Sequence, residues 1–216
     1  MIPTVYYCYD AYCGWCYGFS KVITGIAEEF KDLAFEVLSG GMIPAESAKP
    51  ISKIAPFIKN EYRRVEELTG VKFGKDYLWH IEHPELSDWR PHSEKPATAL
   101  CIFKEYHPDQ SVFMAADIQY ALYYEGRDLT DDESYRDLLG KYKIPEKDFF
   151  IKLDSEEYKE KAYYEFALVK QLQVNGFPTV LMQVEDTKFY LLTRGYSDYE
   201  TFKGRLESVV KEIQNK

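Results

Sequence analysis

The most reactive grouping in the chain is a pair of thiols with two residues between them, Cys13-Gly14-Trp15-Cys16. A thiolate attacks disulfide sulfur, and a second thiol one helical turn further on can resolve the mixed disulfide that the first one forms. The residues before the pair, Thr4 to Tyr9 (TVYYCY), are rich in Val and Tyr, as strands are. Those after it carry apolar side chains at Tyr17, Val22, Ile23, Ile26 and Phe30, the spacing of a helix. The pair therefore falls where a strand hands over to a helix. Unpaired amides and the helix dipole at such a terminus favour a thiolate on the first cysteine. This placement assigns Cys13 as nucleophile and Cys16 as resolving thiol.

Two metal readings compete. A C-x-x-C is half of many zinc sites, and Cys8, Cys13 and Cys16 match the C-x4-C-x2-C spacing of plant-type ferredoxins, with Cys101 left over as a fourth ligand. Neither reading finds a full ligand set. His80, His83, His92 and His107 lie in a remote helical stretch without ligand spacing, Cys8 belongs to the strand, and bulky Tyr9 and Tyr12 crowd the spacer. The expectation is no metal and no cofactor, with Cys8 and Cys101 as buried small hydrophobes and His80, His83 and His92 on solvated or polar surfaces. Asp10, three residues before Cys13, is a candidate for proton transfer to or from Cys16, set against the commoner role of a strand-end Asp in a turn or cap. Trp15, between the two thiols, has no evident core to fill and reads as an exposed apolar contact for substrate.

The rest of the chain bounds what this pair can serve. With 45% hydrophobic and 29% charged residues over 216 positions, the composition is that of a soluble globular protein. A net charge of -9 disfavours nucleic acid as a partner. No apolar run is long enough to span a bilayer, and the first residues lack the pattern of a secretory signal, so a cytoplasmic protein is expected. Four cysteines are too few and too scattered for a disulfide-stapled secreted domain.

A second strand is expected over 33–38, closed by Gly40-Gly41, and its order after the first helix makes a βαβ unit. Residues 45–154 read as helical, with Val112, Ala116, Tyr120 and Tyr123 recurring on one face and breaks at Gly126, Gly140 and Pro145. A helix over 156–171, an antiparallel hairpin of strands 179–184 and 189–192, and a final amphipathic helix carrying Tyr199, Phe202, Leu206, Val209, Val210 and Ile213 complete the chain. The fold expected is α/β: a thioredoxin core, discontinuous over 1–44 and 155–216, with a helical insertion subdomain at 45–154. That insertion should overhang the end of the sheet where the first helix begins and form a cleft there.

Just before the hairpin stands Gly176-Phe177-Pro178-Thr179. Together with this turn, the segments DAYCGWCYG (10–18), Gly40-Gly41-Met42, Thr69-Gly70-Val71 to Phe73-Gly74, SEKPA (93–97) and Tyr124 to Leu129 (YEGRDL) resemble the DsbA-like branch of the thioredoxin superfamily, near its FrnE-like cytoplasmic members and protein-disulfide isomerases. The resemblance extends over essentially the whole chain. It implies a thiol–disulfide oxidoreductase or protein-disulfide isomerase acting on protein or peptide thiols and disulfides, with glutathione as a candidate small-molecule thiol. It further implies that Pro178 is cis and faces the dithiol, shielding it from metal, and that the Phe177 backbone pairs with an extended substrate. The Gly14-Trp15 pair contains no histidine of the kind found in periplasmic oxidases, so the direction of electron flow stays open. A cytosolic setting favours reduction or isomerisation. Kappa-type glutathione transferases and chromene-carboxylate isomerases resemble this architecture but usually carry a serine near the first cysteine position and lack a redox pair. The non-enzymatic alternative is a peptide-binding adaptor that uses the fold as a scaffold.

Overall fold

The computed structural model describes residues 3–215. Four strands form one sheet in the order β2-β1-β3-β4, where β1 is Thr4–Tyr9, β2 Ala34–Ser39, β3 Thr179–Glu185 and β4 Lys188–Arg194. The β1–β2 pair is parallel and the β3–β4 pair antiparallel, as the sequence leads one to expect, and β1 pairs antiparallel with β3. Cys8 pairs with Leu38 on one side and Thr179 on the other, so the exit of β1 meets the exit of β2 and the entry of β3 at one end of the sheet.

Strand alternation decides which side chain goes where. Val5, Tyr7 and Tyr9 join the main core on the face covered by helix α1 (Gly14–Glu29), whereas Cys8 joins Leu38 and Val169 in a smaller cluster on the opposite face. Helix α1 buries Cys16, Phe19, Ile23 and Ile26 at helical spacing. Phe19 meets both Tyr7, at 5.9 Å between rings, and Phe202 of the last helix, α9 (Tyr199–Gln214), at 5.5 Å.

Between β2 and β3 the chain is helical: α2 (Ala55–Thr69), α3 (Lys75–Glu82), α4 (Glu94–Tyr106), α5 (Ser111–Tyr123), α6 (Arg136–Tyr142), α7 (Glu146–Leu153) and α8 (Glu156–Gln171). The expected stripe on α5 is only half right. Val112 and Tyr123 are buried, but Ala116 is partly open and Tyr120 is exposed. The buried set also takes in Met114, Ala115, Ile118, Gln119, Ala121 and Leu122. The reason is that α5 contacts α1, α4 and β2 together, so the core-facing surface is wider than one stripe and centred elsewhere. Two histidines also depart from a surface role. His80 is half-buried, with its ring stacked 3.8 Å from that of Trp89 and its Nδ1 2.7 Å from Ser87 Oγ, and His92 is half-buried as well.

The short motifs scattered through the helical region come together in space. The Gly74 amide donates to the Tyr123 carbonyl at 2.8 Å, and a Cβ at Gly74 would stand 1.7 Å from the Tyr124 carbonyl oxygen, so only glycine fits that approach. Lys95 donates to the Thr130 carbonyl at 2.8 Å and pairs with Asp132 at 2.5 Å. Among the described residues no helix is long and apolar enough to cross a membrane.

Candidate active site

Cys13 is the N-cap of α1. Its amide donates to the Asp10 carbonyl at 3.0 Å, and its carbonyl accepts from the amides of Cys16 at 3.0 Å and Tyr17 at 3.1 Å, which opens the helix. Its Sγ accepts from the Cys16 amide at 3.3 Å and lies 3.6 Å from the Phe177 carbonyl oxygen. The first sulfur thus has a helix-terminal donor behind it and a strand-entry carbonyl in front. Cys16 is 0% exposed, and burial, followed by its contact with Cys13, pushes its thiol well above the usual range. Both thiols are free. A thiol held neutral and enclosed one turn behind the first sulfur is placed to act second.

The Phe177–Pro178 bond is cis, and Pro178 is buried. Its carbonyl accepts from the Gly195 amide at 2.7 Å, while the Thr179 hydroxyl donates to the Gly176 carbonyl at 2.7 Å. Gly40 lets this turn come close: a Cβ there would lie 2.0 Å from Cζ of the Phe177 ring, so any side chain at position 40 would push Phe177 away from Cys13. The glycine pair at the end of β2 therefore helps set the approach of Phe177 to the first sulfur.

Asp10 is buried and its carboxylate is fully engaged. One oxygen accepts from the Tyr12 amide and the Ser93 hydroxyl, each at 3.0 Å, and the other from the Met42 amide at 2.7 Å. Burial raises its pKa, and the hydrogen bonds from Met42, Tyr12 and Ser93 oppose the rise. The carboxylate thereby ties the turn before Cys13 to the segment after β2 and to the start of α4. Trp15 is half-buried rather than fully exposed, because the guanidinium of Arg64 on α2 lies 5.8 Å from the ring centroid and the indole packs against the core. Beside it a cavity of about 80 Å³ is lined by Gly14, Trp15, Phe57, Ile58, Val65 and Phe73. Across Tyr12 a second cavity of about 180 Å³ reaches Met42, Ile51 and Trp89.

Cys8 and Cys101 do not join the dithiol. Cys8 sits against Leu38 and Val169, its thiol pushed up to about 12 by burial and by Glu165. Cys101 lies 3.4 Å from a Glu165 carboxylate oxygen and is likewise raised, by burial and then by that carboxylate. The ferredoxin-like spacing is thus not gathered into one ligand set.

One residue at the site has no signal in the sequence. Gln119, from α5, donates its side-chain amide to the carbonyls of Asp10 at 3.0 Å and Cys13 at 3.3 Å. A polar residue on an otherwise apolar helical face is the nearest thing to a signal, and it does not say what the residue reaches.

A thioredoxin-type sheet with a C-x-x-C at the amino terminus of its first helix defines the class of thiol–disulfide oxidoreductases at the general level. The chain belongs to the family of the DSBA-like thioredoxin domain, which it matches over residues 4–207. It is similar to the structure described as "a putative protein disulfide isomerase from Nitrosomonas europaea", at 24% identity, covering 98% of this chain and 99% of that one, with a TM-score of 0.83. It is also similar to the cytosolic disulfide reductase DsbM from Pseudomonas aeruginosa, at 25% identity, 96% and 98% coverage and a TM-score of 0.76. That reductase has also been solved with GSH. A 2-hydroxychromene-2-carboxylate isomerase shares the fold alone, at 13% identity, 98% coverage of each chain and a TM-score of 0.67. A search among curated proteins found no match.

Proposed function

We propose that this protein exchanges disulfides with protein or peptide thiols in the cytoplasm through Cys13 and Cys16, working as a reductase or isomerase rather than as an oxidase. The observation that carries the reading is the asymmetry of the pair. Cys13 caps α1 with its sulfur against the Phe177 carbonyl, and Cys16 is enclosed behind it. The Cys13 thiolate attacks a substrate disulfide, one substrate sulfur leaves as a thiolate, and a mixed disulfide remains. Cys16 then loses its proton and attacks the Cys13 sulfur, releasing the second substrate thiol. Two electrons have passed to the substrate and the Cys13–Cys16 bond has formed.

In this reading the Phe177 backbone offers an edge to an extended substrate and Trp15 walls the apolar cavity beside the reacting sulfur. Asp10 fixes the turn, and its buried carboxylate can take part in proton transfer to or from Cys16. The likeness to a cytosolic disulfide reductase supports both the direction and the compartment, and the GSH complex of that reductase supports glutathione as the small thiol that recharges the pair. The test is equilibration of the purified protein in glutathione buffers of graded ratio, followed by acid quench, alkylation and mass mapping. A Cys13–Cys16 disulfide that forms only at strongly oxidising ratios marks an oxidising couple, and one that persists in reducing buffer marks a reductase. Failure to form that disulfide at any ratio overturns the proposal.

A further inference from the structure

Gln119 is 0% exposed and belongs to α5 rather than to α1, which carries the dithiol. Burying a primary amide is unfavourable unless its polar atoms are bonded. Here the bonding is one-sided: Nε2 serves the Asp10 and Cys13 carbonyls, while Oε1 has no partner among the described residues. The orientation is dictated by chemistry, since the reverse one would set Oε1 against two carbonyl oxygens. A Met or Leu would fill the same space without leaving an acceptor buried, so packing does not account for the amide.

The two carbonyls it serves bracket the turn that delivers Cys13. The Asp10 carbonyl also accepts from the Cys13 amide, and the Cys13 carbonyl also accepts from the amides of Cys16 and Tyr17. One side-chain amide therefore joins the first and last residues of the turn and opposes the negative ends of two carbonyl dipoles lying next to the nucleophile. We propose that Gln119 is a positioning residue for disulfide exchange: acting through these carbonyls, it holds Cys13 at the helix terminus and favours the reduced, thiolate-bearing pair over the disulfide. The proposal rests on Cys13 being the nucleophile of the reaction described above. In exchange with glutathione disulfide, the Cys13 thiolate bonds to one sulfur as the S–S bond breaks and one glutathione thiolate leaves. Cys16 gives up its proton and displaces the second, and two electrons end on glutathione. Only the reduced side of this balance carries the charge that Gln119 assists, so losing the amide shifts the equilibrium towards the protein disulfide.

The variant is Gln119→Met, close to Gln in volume. At a fixed ratio of reduced to oxidised glutathione, the equilibrium constant for the Cys13–Cys16 disulfide should rise about three- to tenfold, the size of one net hydrogen bond. Brief iodoacetamide labelling at neutral pH, mapped by mass, should slow at Cys13 by roughly two- to fivefold, since the turn no longer holds its sulfur at the helix terminus. Gln119→Glu, which turns a second oxygen towards the carbonyls, should move both readouts the same way and serves if the Met variant does not fold. A folded variant with the parent equilibrium constant and the parent labelling rate overturns the proposal. If the parent protein forms no Cys13–Cys16 disulfide, the proposed function fails, and the labelling rate at Cys13 still decides the role of Gln119.

Discussion

Four thiols lie on the two faces of one sheet, and they are treated in opposite ways. On the α1 face, Cys13 stands at a helix terminus with a backbone donor behind it and a carbonyl in front. On the α8 face, Cys8 and Cys101 are buried around Glu165, which also accepts from the Ser39 amide at 2.8 Å and from Lys104. Lys104 donates further to Glu36 at 2.8 Å and to the Val37 carbonyl at 2.9 Å. Burial opposes its charge, but Glu165 and Glu36 outweigh this and raise its pKa. Burial first, and Glu165 after it, keeps Cys8 and Cys101 as thiols, whereas the proposed nucleophile Cys13 stands at a helix terminus. The comparison separates a cysteine set at a helix terminus, between a backbone donor and a carbonyl, from two whose thiols are raised first by burial and then by Glu165.

The sharpest way to break the comparison is to remove one thiol at a time. Cys13→Ser should reduce insulin disulfide reduction at least about a thousandfold, whereas Cys8→Ala and Cys101→Ala should stay within about twofold of the parent. A comparable loss in Cys101→Ala would place chemistry on the wrong face. Lys104→Met should act on stability alone. It leaves Glu165 and Glu36 without their cation and should cost about 3–5 kcal/mol in urea unfolding, while the folded variant labels at Cys13 at the parent rate.

A third experiment looks within the dithiol. Cys16→Ala should accumulate Cys13-linked mixed disulfides on nonreducing gels, roughly tenfold over the parent, and Cys13→Ser/Cys16→Ala should show none. The smallest effect concerns alkaline pH. Cys8 titrates near 12 in the folded chain, against 9.0 as its ordinary value. Between those limits the unfolded chain has lost the proton and the folded chain has not, so stability falls as pH rises through that window. Cys8→Ala should remove up to about 1.4 kcal/mol per pH unit from that slope. Parallel stability curves for the two proteins would show that Cys8 is not held as a thiol.

Much of this was legible before any coordinates. Composition and pattern located β1 at Thr4–Tyr9 and the helix at Glu156–Gln171 with their observed bounds. The dithiol was legible because its chemistry is local, requiring a strand end, a helix start and two thiols one turn apart. Gln119 was not, since its partners lie 109 and 106 residues away and nothing near position 119 reports them. The Lys104–Glu165 pair escaped for the same reason, its members standing 61 positions apart. The misplaced stripe on α5 has a different cause: periodicity marks one face, and this helix has three neighbours.

The contact between Cys13 and Phe177 spans 164 residues, and the central strand β1 finds its second neighbour, β3, only at the far end of the chain. On a ribosome adding roughly 5–20 residues per second, the dithiol segment is made about ten to thirty seconds before the carbonyl that will face it. Throughout that interval β1 has an open edge and both thiols lack their enclosure. A nascent chain is therefore itself open to attack by oxidised partners until the segment carrying Phe177 emerges and β3 closes that edge.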